Sequence, residues 1–394
     1  MSGELGNAQA HARALRRWLD EDALPLWADR GVDPDWGFVE RMDHSGNAVS
    51  EPVRARVVPR QIYVYAEAGL HHWNGDWRSP VEQALDRLTT VYRRGDGLYG
   101  NVAGPDGLID DRFDLYNHAF VLLALASAAK VFLEKRGALH HEAVALLSRL
   151  KARFSHPIAG FEESEPPTAP LKSNPHMHLF EAAQVWTAVP DVDTGAFAAL
   201  ADEIASLATR RFINAETGAL REFFGRDWLP MPDETGRIVE PGHQFEWAWL
   251  LARHARGGVA EDRHVAYAAR LFDIGETHGV DTRGVAFMAL DDAFGVVDPI
   301  ARLWAQTEWL KAASLLAAMC SGRERERYLA SAARAASALR RFLETPVSGL
   351  WFDKMRADGS FVDEPAPASS FYHIACAIYE FEDRLGEIAG ARSM

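Results

Sequence analysis

A short loop pattern recurs six times along this chain: a glycine followed by an apolar or aromatic stretch, usually with acidic residues close by. The copies are Trp36-Gly37-Phe38-Val39-Glu40, Gly97-Leu98-Tyr99, Gly160-Phe161-Glu162-Glu163, Gly218-Ala219-Leu220-Arg221-Glu222, Gly284-Val285-Ala286-Phe287 and Gly349-Leu350-Trp351-Phe352-Asp353. Successive glycines are 60, 63, 58, 66 and 65 residues apart. A near-constant period of that size means one supersecondary unit repeated, which limits the fold more than any single motif does. From 18 to 25 residues after each glycine, a polar residue stands at or near the start of an apolar helix: Arg60, Asn117 with His118, His178, His243, Trp304 with Gln306, and His373. Units that each deliver a polar residue to the same place describe a ring with a site at its centre.

Between the loops two kinds of helix alternate. Segments of about 7–28, 79–94, 138–154, 190–213, 259–279 and 323–344 are amphipathic with a charged face. In the fourth, Phe197, Leu200, Ile204, Leu207 and Phe212 keep helical spacing while Asp202, Glu203 and Arg210 face away. Segments of about 59–72, 113–134, 175–188, 243–257, 300–319 and 368–386 are apolar on more than one face, as helices buried on all sides are. Half-exposed helices alternating with buried ones predict an all-α (α/α)6 barrel, with the inner helix N-termini and the glycine loops on one face. Short β-like stretches such as Leu350-Trp351-Phe352 are expected to form hairpins at the mouth. One domain over residues 1–394 is expected, because no linker or composition shift divides the chain.

A formal charge of −14 argues against nucleic acid and anionic membrane as partners. Met1 to Asp22 lacks the apolar core of a signal peptide, and no apolar run approaches about 20 residues, so the chain reads as cytoplasmic. Cys320 and Cys376 lie in Ala-rich apolar surroundings and read as buried thiols rather than a disulfide. The chain lacks G-x-S-x-G, G-x-G-x-x-G and P-loop patterns. No cofactor is expected.

Pro241 and Gly242 place His243 in the first turn of an inner helix, with Glu246 at i+3 able to orient its ring. Ser369 and Ser370 place His373 likewise. Either could merely cap its helix; together they read as an acid/base pair. His176 and His178 cannot point the same way, and His178 with Glu181 repeats the His243/Glu246 spacing. A zinc reading is weak, since the ligands would come from separate helices and no HExxH or CxxC spacing exists. Arg60 either pairs with a loop carboxylate or faces the cavity, where it would stabilise an oxyanion. Trp304 offers a stacking face, and Gln306 and Glu308 can fix hydroxyls; Trp309 reads as core. Asn117 reads as a hydroxyl contact, with Tyr116 an equal candidate and His118 a cap. The loop aromatics Trp36, Phe38, Tyr99, Phe161 and Trp351 read as packing, with a subset available to wall the pocket.

These segments resemble the N-acylglucosamine 2-epimerase superfamily, and within it the bacterial aldose–ketose isomerase branch. The resemblance is carried by Pro59-Arg60-Gln61-Ile62-Tyr63, Asn174-Pro175-His176-Met177-His178-Leu179-Phe180-Glu181-Ala182, Pro241-Gly242-His243-Gln244-Phe245-Glu246, Arg302-Leu303-Trp304-Ala305-Gln306-Thr307-Glu308 and Ser370-Phe371-Tyr372-His373. Where the family commonly has Pro after the aromatic of the fourth of these segments, this chain has Ala305. The resemblance implies a metal-free proton transfer through a cis-enediol(ate). His373 would move a proton between C2 and C1, His243 would help open the ring, and Arg60 would stabilise the enediolate oxygen. His178, Trp304, Gln306, Glu246, Asn117 and Glu308 would bind hydroxyls or orient the histidines.

The leading expectation is therefore an isomerase interconverting mannose and fructose, with lyxose and xylulose as further substrates. The expected partner is a small monosaccharide, and the chain a monomer or homodimer. A sugar 2-epimerase is the nearest rival. An inverting glycoside hydrolase would need paired carboxylates where this chain has His and Arg. A non-catalytic sugar-binding protein is the remaining alternative.

Overall fold

The computed structural model describes residues 3–33, 37–257 and 262–391. Trp36 and the first residues of the 259–279 segment lie outside them. The described chain forms the (α/α)6 barrel. The inner ring is α3 (Val57–Leu70), α5 (Leu115–Val131), α7 (Ser173–Thr187), α9 (Pro241–Arg256), α11 (Leu303–Met319) and α13 (Phe371–Gly390). Each packs on the next, and α13 returns to α3 to close the ring. The outer ring is α1 (Gly3–Trp18) with α2 (Leu24–Asp29), then α4 (Arg78–Arg87), α6 (Arg136–Phe154), α8 (Gly195–Leu207), α10 (Asp262–Gly279) and α12 (Gly322–Leu343). The inner helices are buried nearly all round; in α5 every residue from Asn117 to Ala129 is buried. On α8 the apolar positions Phe197, Leu200 and Ile204 are buried and Asp202 is exposed, as the periodicity requires. The main apolar core extends from Leu5 to Ile388, with a smaller cluster of Ala219, Val239, Ile274, Phe287 and Leu290 beside it.

All six loop glycines have φ between 69° and 93°. At Gly349 the constraint is double: φ is +93°, and a Cβ would stand 2.7 Å from the Asp22 carbonyl oxygen. Most of these loops are tight hairpins, pairing Val32 with Phe38, Arg93 with Tyr99, Ser155 with Phe161, Ile213 with Leu220 and Val280 with Ala286. Two longer pairings lie within single loops, Val102–Gly104 with Gly107–Asp110 and Phe287–Leu290 with Val296–Arg302, and short ones run between neighbouring loops. Val53–Arg54 pairs with Val102–Gly104, Leu171–Lys172 with Phe223–Phe224, Val296–Arg302 with Lys354–Met355, and Ala366–Pro367 with Arg41–Met42, all antiparallel. The mouth is thus a laced collar. Leu350, Trp351 and Phe352, expected as hairpin residues, precede the strand at Lys354–Met355, and Leu350 and Trp351 are core. Phe38, Tyr99, Phe161 and Trp351 are buried packing residues, and none of them lines the cavity described below. Residues 300–302, expected to open the fifth inner helix, complete a strand instead. Cys320 and Cys376 are free thiols. No described helix is long and apolar enough to cross a membrane.

Candidate active site

The inner helices share a numbering that sorts their first turns by role. Asp114, Lys172, Glu240 and Arg302 are the N-caps of α5, α7, α9 and α11. The residue four places on is His118, His176, Gln244 or Gln306, and each clips a glycine loop to its helix. His118 and His176 accept the backbone N–H of Tyr99 and Phe161, both at 3.0 Å, through Nε2. Gln244 and Gln306 accept the N–H of Leu220 and Ala286 and donate to the same residues' carbonyls. A clip histidine needs a free lone pair, so it must be neutral. Burial holds both His118 and His176 down to about 4. Gln306, expected to bind a hydroxyl, is therefore a structural clip with its amide saturated. Asn117 also misses the cavity: its amide donates to Asn101 Oδ1 at 2.6 Å. Tyr116, the equal candidate, lines it.

The inward face draws on position two, three or six after the cap, differently on each helix. These positions bring together Tyr116, Asn174, His178, His243, Glu246 and Trp304, joined by Arg60 of α3 and His373 of α13 around one cavity of about 190 Å³. Every inner helix contributes. Met288, Arg302, Ser369 and Ser370 complete the wall with Glu240.

Arg60 is buried, and no carboxylate pairs with it among the described residues. Its guanidinium donates to the Ser369 carbonyl at 2.9 Å and the Tyr116 hydroxyl at 2.5 Å, and lies 4.1 Å from the Phe120 ring centroid. Of the two alternatives for this arginine, the structure takes the cavity-facing one.

His373 Nδ1 lies 2.8 Å from Glu308 Oε1. Glu308 is fully buried behind the histidine and does not line the cavity. Its other oxygen is 2.6 Å from Lys311 Nζ. Burial first, then the cations Arg60 and Lys311 and the nearby His178, push His373 well below the ordinary histidine value. His373 is neutral, with its Nδ1–H donated to Glu308 and its Nε2 lone pair free.

His243 has the opposite setting. Burial works against its charge but is outweighed by Glu222 and Glu240, raising it to about 10. Its Nδ1 is 2.9 Å from Glu222 Oε2 and 3.4 Å from Glu240 Oε2. Glu246, expected to orient this ring, instead lies one turn deeper. Its Oε1 is 3.9 Å from His178 Nδ1. Burial and the neighbouring Glu308 raise it well above its ordinary carboxylate value. The Trp304 ring lies 5.0 Å from His243 and 6.1 Å from His373. His178 is lowered to about 4 by burial, and its Nδ1 is 3.3 Å from Glu181 Oε2, which also accepts from the Tyr372 hydroxyl. Trp309 is core, donating to Ser331 Oγ.

Sequence reasoning missed Glu222 and Glu240. Glu222 carried a signal, as the acid ending its glycine-loop motif. Its counterparts Glu40, Glu162 and Asp353 each hold an arginine of the collar, Arg54, Arg226 and Arg302. Glu222 instead holds a histidine and the Ser173 hydroxyl.

Two donor sets, His178/Glu181/Glu246 and Glu246/Glu308/His373, have ligand atoms within 4.8 Å of one another. They come from four separate helices, as single-segment spacing could not reveal. The Lys311 ammonium already supplies a cation against Glu308, which makes the second set a poor place for another.

The family profile described as N-acylglucosamine 2-epimerase (GlcNAc 2-epimerase) matches residues 37–377. The chain is 56% identical over 378 residues to a mannose-6-phosphate isomerase of Rhizobium meliloti (strain 1021), spanning 95% of this chain and 97% of that protein. A D-mannose isomerase of Marinomonas mediterranea is 24% identical over 312 residues, 75% of this chain and 78% of the other. Among solved structures, a D-mannose isomerase superposes with a TM-score of 0.83 at 20% identity, over 95% and 97% of the two chains. A cellobiose 2-epimerase from Spirochaeta thermophila gives 0.86 at 19% identity, over 99% and 100%. The chain is an enzyme of the isomerase class and belongs to the N-acylglucosamine 2-epimerase family.

Proposed function

We propose that this enzyme interconverts D-mannose and D-fructose, with D-lyxose and D-xylulose as further substrates, by metal-free proton transfer through a cis-enediol(ate). The observation that carries the reading is the opposed protonation of two histidines across one cavity. A pair of titratable groups pushed apart by their surroundings marks an acid and a base. Neutral His373 takes the C2 proton at Nε2 and returns it to C1. Cationic His243 gives a proton to the ring oxygen as the C1–O5 bond breaks, and the imidazole so freed takes the O1 hydroxyl proton as C1 becomes the carbonyl. Arg60, paired with no carboxylate among the described residues, stabilises charge on the enediolate oxygen. Trp304 stacks on the sugar, and Glu246 and His178 meet hydroxyls from below.

A cavity of about 190 Å³ is smaller than the roughly 300–1,000 Å³ of drug-sized sites, which favours a single sugar ring. The basic side chains around the mouth are mostly satisfied: Arg302 by Asp353, Arg54 by Glu40, Arg41 by Glu51 and Lys354 by Glu364. That favours an uncharged sugar over a phosphorylated one. Arg56 is the exception. It stands 5.1 Å from the Tyr116 ring centroid with no carboxylate pairing among the described residues, and is where a C6 phosphate would be read.

A second reading, 2-epimerisation of a disaccharide, is favoured by an adjoining cavity of about 710 Å³ that shares Tyr116 and Asn174 with the first. Product analysis in D2O separates the readings. Mannose should give fructose deuterated at C1. Glucose deuterated at C2, without fructose, would replace the isomerase with an epimerase. Running mannose 6-phosphate alongside settles the phosphate.

A further inference from the structure

We propose that Lys311 is the positioning residue that keeps His373 a base, by holding Glu308 as the carboxylate that receives the imidazole Nδ1 proton. The proposal rests on the reading of His373 as the base. Lys311 is a fully buried ammonium in the middle of an inner helix, one turn below Glu308. A dry lysine is costly unless it is paired, and its pairing here is specific: Nζ to Glu308 Oε2 at 2.6 Å, with the other carboxylate oxygen on His373. The three groups form a line, ammonium to carboxylate to imidazole, ending at the cavity. The Trp249 ring, 4.0 Å from Nζ, closes the far side.

The alternative states of this line are inactive. If the Glu308–His373 pair gained a proton, it would rest in one of two places. On the imidazole, it would occupy Nε2. On Glu308, the acid would donate to Nδ1, and the ring would carry its hydrogen on Nε2. Either way the cavity loses its lone pair. Burial raises the proton affinity of Glu308, and Lys311 works against that rise and also lowers the proton affinity of His373.

The charged and titratable groups facing this line from the other inner helices do not replace it. Arg60 of α3 also opposes protonation of His373, but it sits at the mouth and does not touch Glu308. Glu181 and His178 of α7 hold each other. Burial and Glu308 raise Glu246 of α9 well above its ordinary value, which disfavours a second carboxylate beside the line. On α13, burial pushes Tyr372 well up, and the Cys376 thiol up to about 12, so both stay neutral.

The test is the titration of the His373 ring by NMR in the full-length enzyme, with and without Lys311→Met. It needs no substrate, so it fails or succeeds independently of the assigned reaction. In the parent enzyme the ring should remain the neutral Nδ1–H tautomer below pH 6.5. In Lys311→Met the ring should protonate, or switch to the Nε2–H tautomer, at a pH higher by about one unit or more, the scale of a close charge. Lys311→Arg should restore the parent titration. An unchanged titration in Lys311→Met would overturn the proposal. Should that variant not fold, Lys311→Gln removes the charge while leaving a donor for Glu308 Oε2. His373 should then titrate at higher pH than in the parent enzyme, and an unchanged titration would overturn the proposal.

Discussion

His243 and His373 are the same side chain at the mouths of two inner helices, set in walls of opposite charge. The α9 wall is acidic: Glu222 and Glu240 converge on Nδ1 of His243. The α13 wall is cationic: Arg60 and Lys311 bear on His373, whose carboxylate partner Glu308 is itself claimed by the lysine. Burial is common to both and favours the neutral ring in each. The net charge of the surroundings therefore decides, and one residue type supplies both an acid and a base at neutral pH.

The comparison breaks most visibly if the roles are exchanged. His373→Asn should abolish exchange of the substrate C2 proton with solvent, a loss of about 10²–10⁴-fold by NMR in D2O. His243→Asn should also lower turnover, but part of its defect should lie in ring opening. Open-chain or poorly cyclising sugars should recover some activity in that variant and none in His373→Asn. Equal rescue of both would erase the distinction.

Glu222→Gln sharpens the acidic wall. Losing that carboxylate should lower His243 from about 10 by about 1–3 units. An acid must hold its proton, so the basic limb of kcat/KM should move down in pH by the same amount, with little change on the acid side. A shift of the acid limb instead would assign Glu222 to the base.

A smaller effect separates clip from site. Gln306→Leu should lower stability by about 1–3 kcal/mol in denaturant titration, because the Ala286 N–H is left buried without a partner. The KM of the folded fraction should not change. A raised KM with unchanged stability would return Gln306 to the sugar. The smallest expected effect is none: dialysis against EDTA should leave turnover intact, and loss restored by a divalent ion would fill one of the two donor sets with metal.

The ring itself was legible because it repeats: the glycine period and the alternation of half-buried and buried helices are one-dimensional signals. So were the residues that face inward from first turns, Arg60, His178, His243, Trp304 and His373, which share the cavity. Asn117 was misplaced because position three after a cap is not equivalent in every repeat: His243 faces the cavity from it and Asn117 does not. Gln306 was misplaced because it stands at position four. Position four turns toward the neighbouring loop, and a polar side chain there serves the backbone. Glu222 and Lys311 were missed for a different reason. Their importance lies in contacts across the barrel wall, 21 residues along the chain for Glu222 and His243, and through Glu308 for Lys311. No spacing rule reports such contacts.

The most direct test of opposed protonation is the pH dependence of kcat/KM for C2 proton exchange in the unaltered enzyme. The base must be free and the acid protonated. Activity should therefore rise through a limb below pH 6.5, stay level across neutrality, and fall through a limb near pH 10. A narrow bell with its acid limb at or above pH 7 would show both histidines titrating in ordinary surroundings, and would contradict the account.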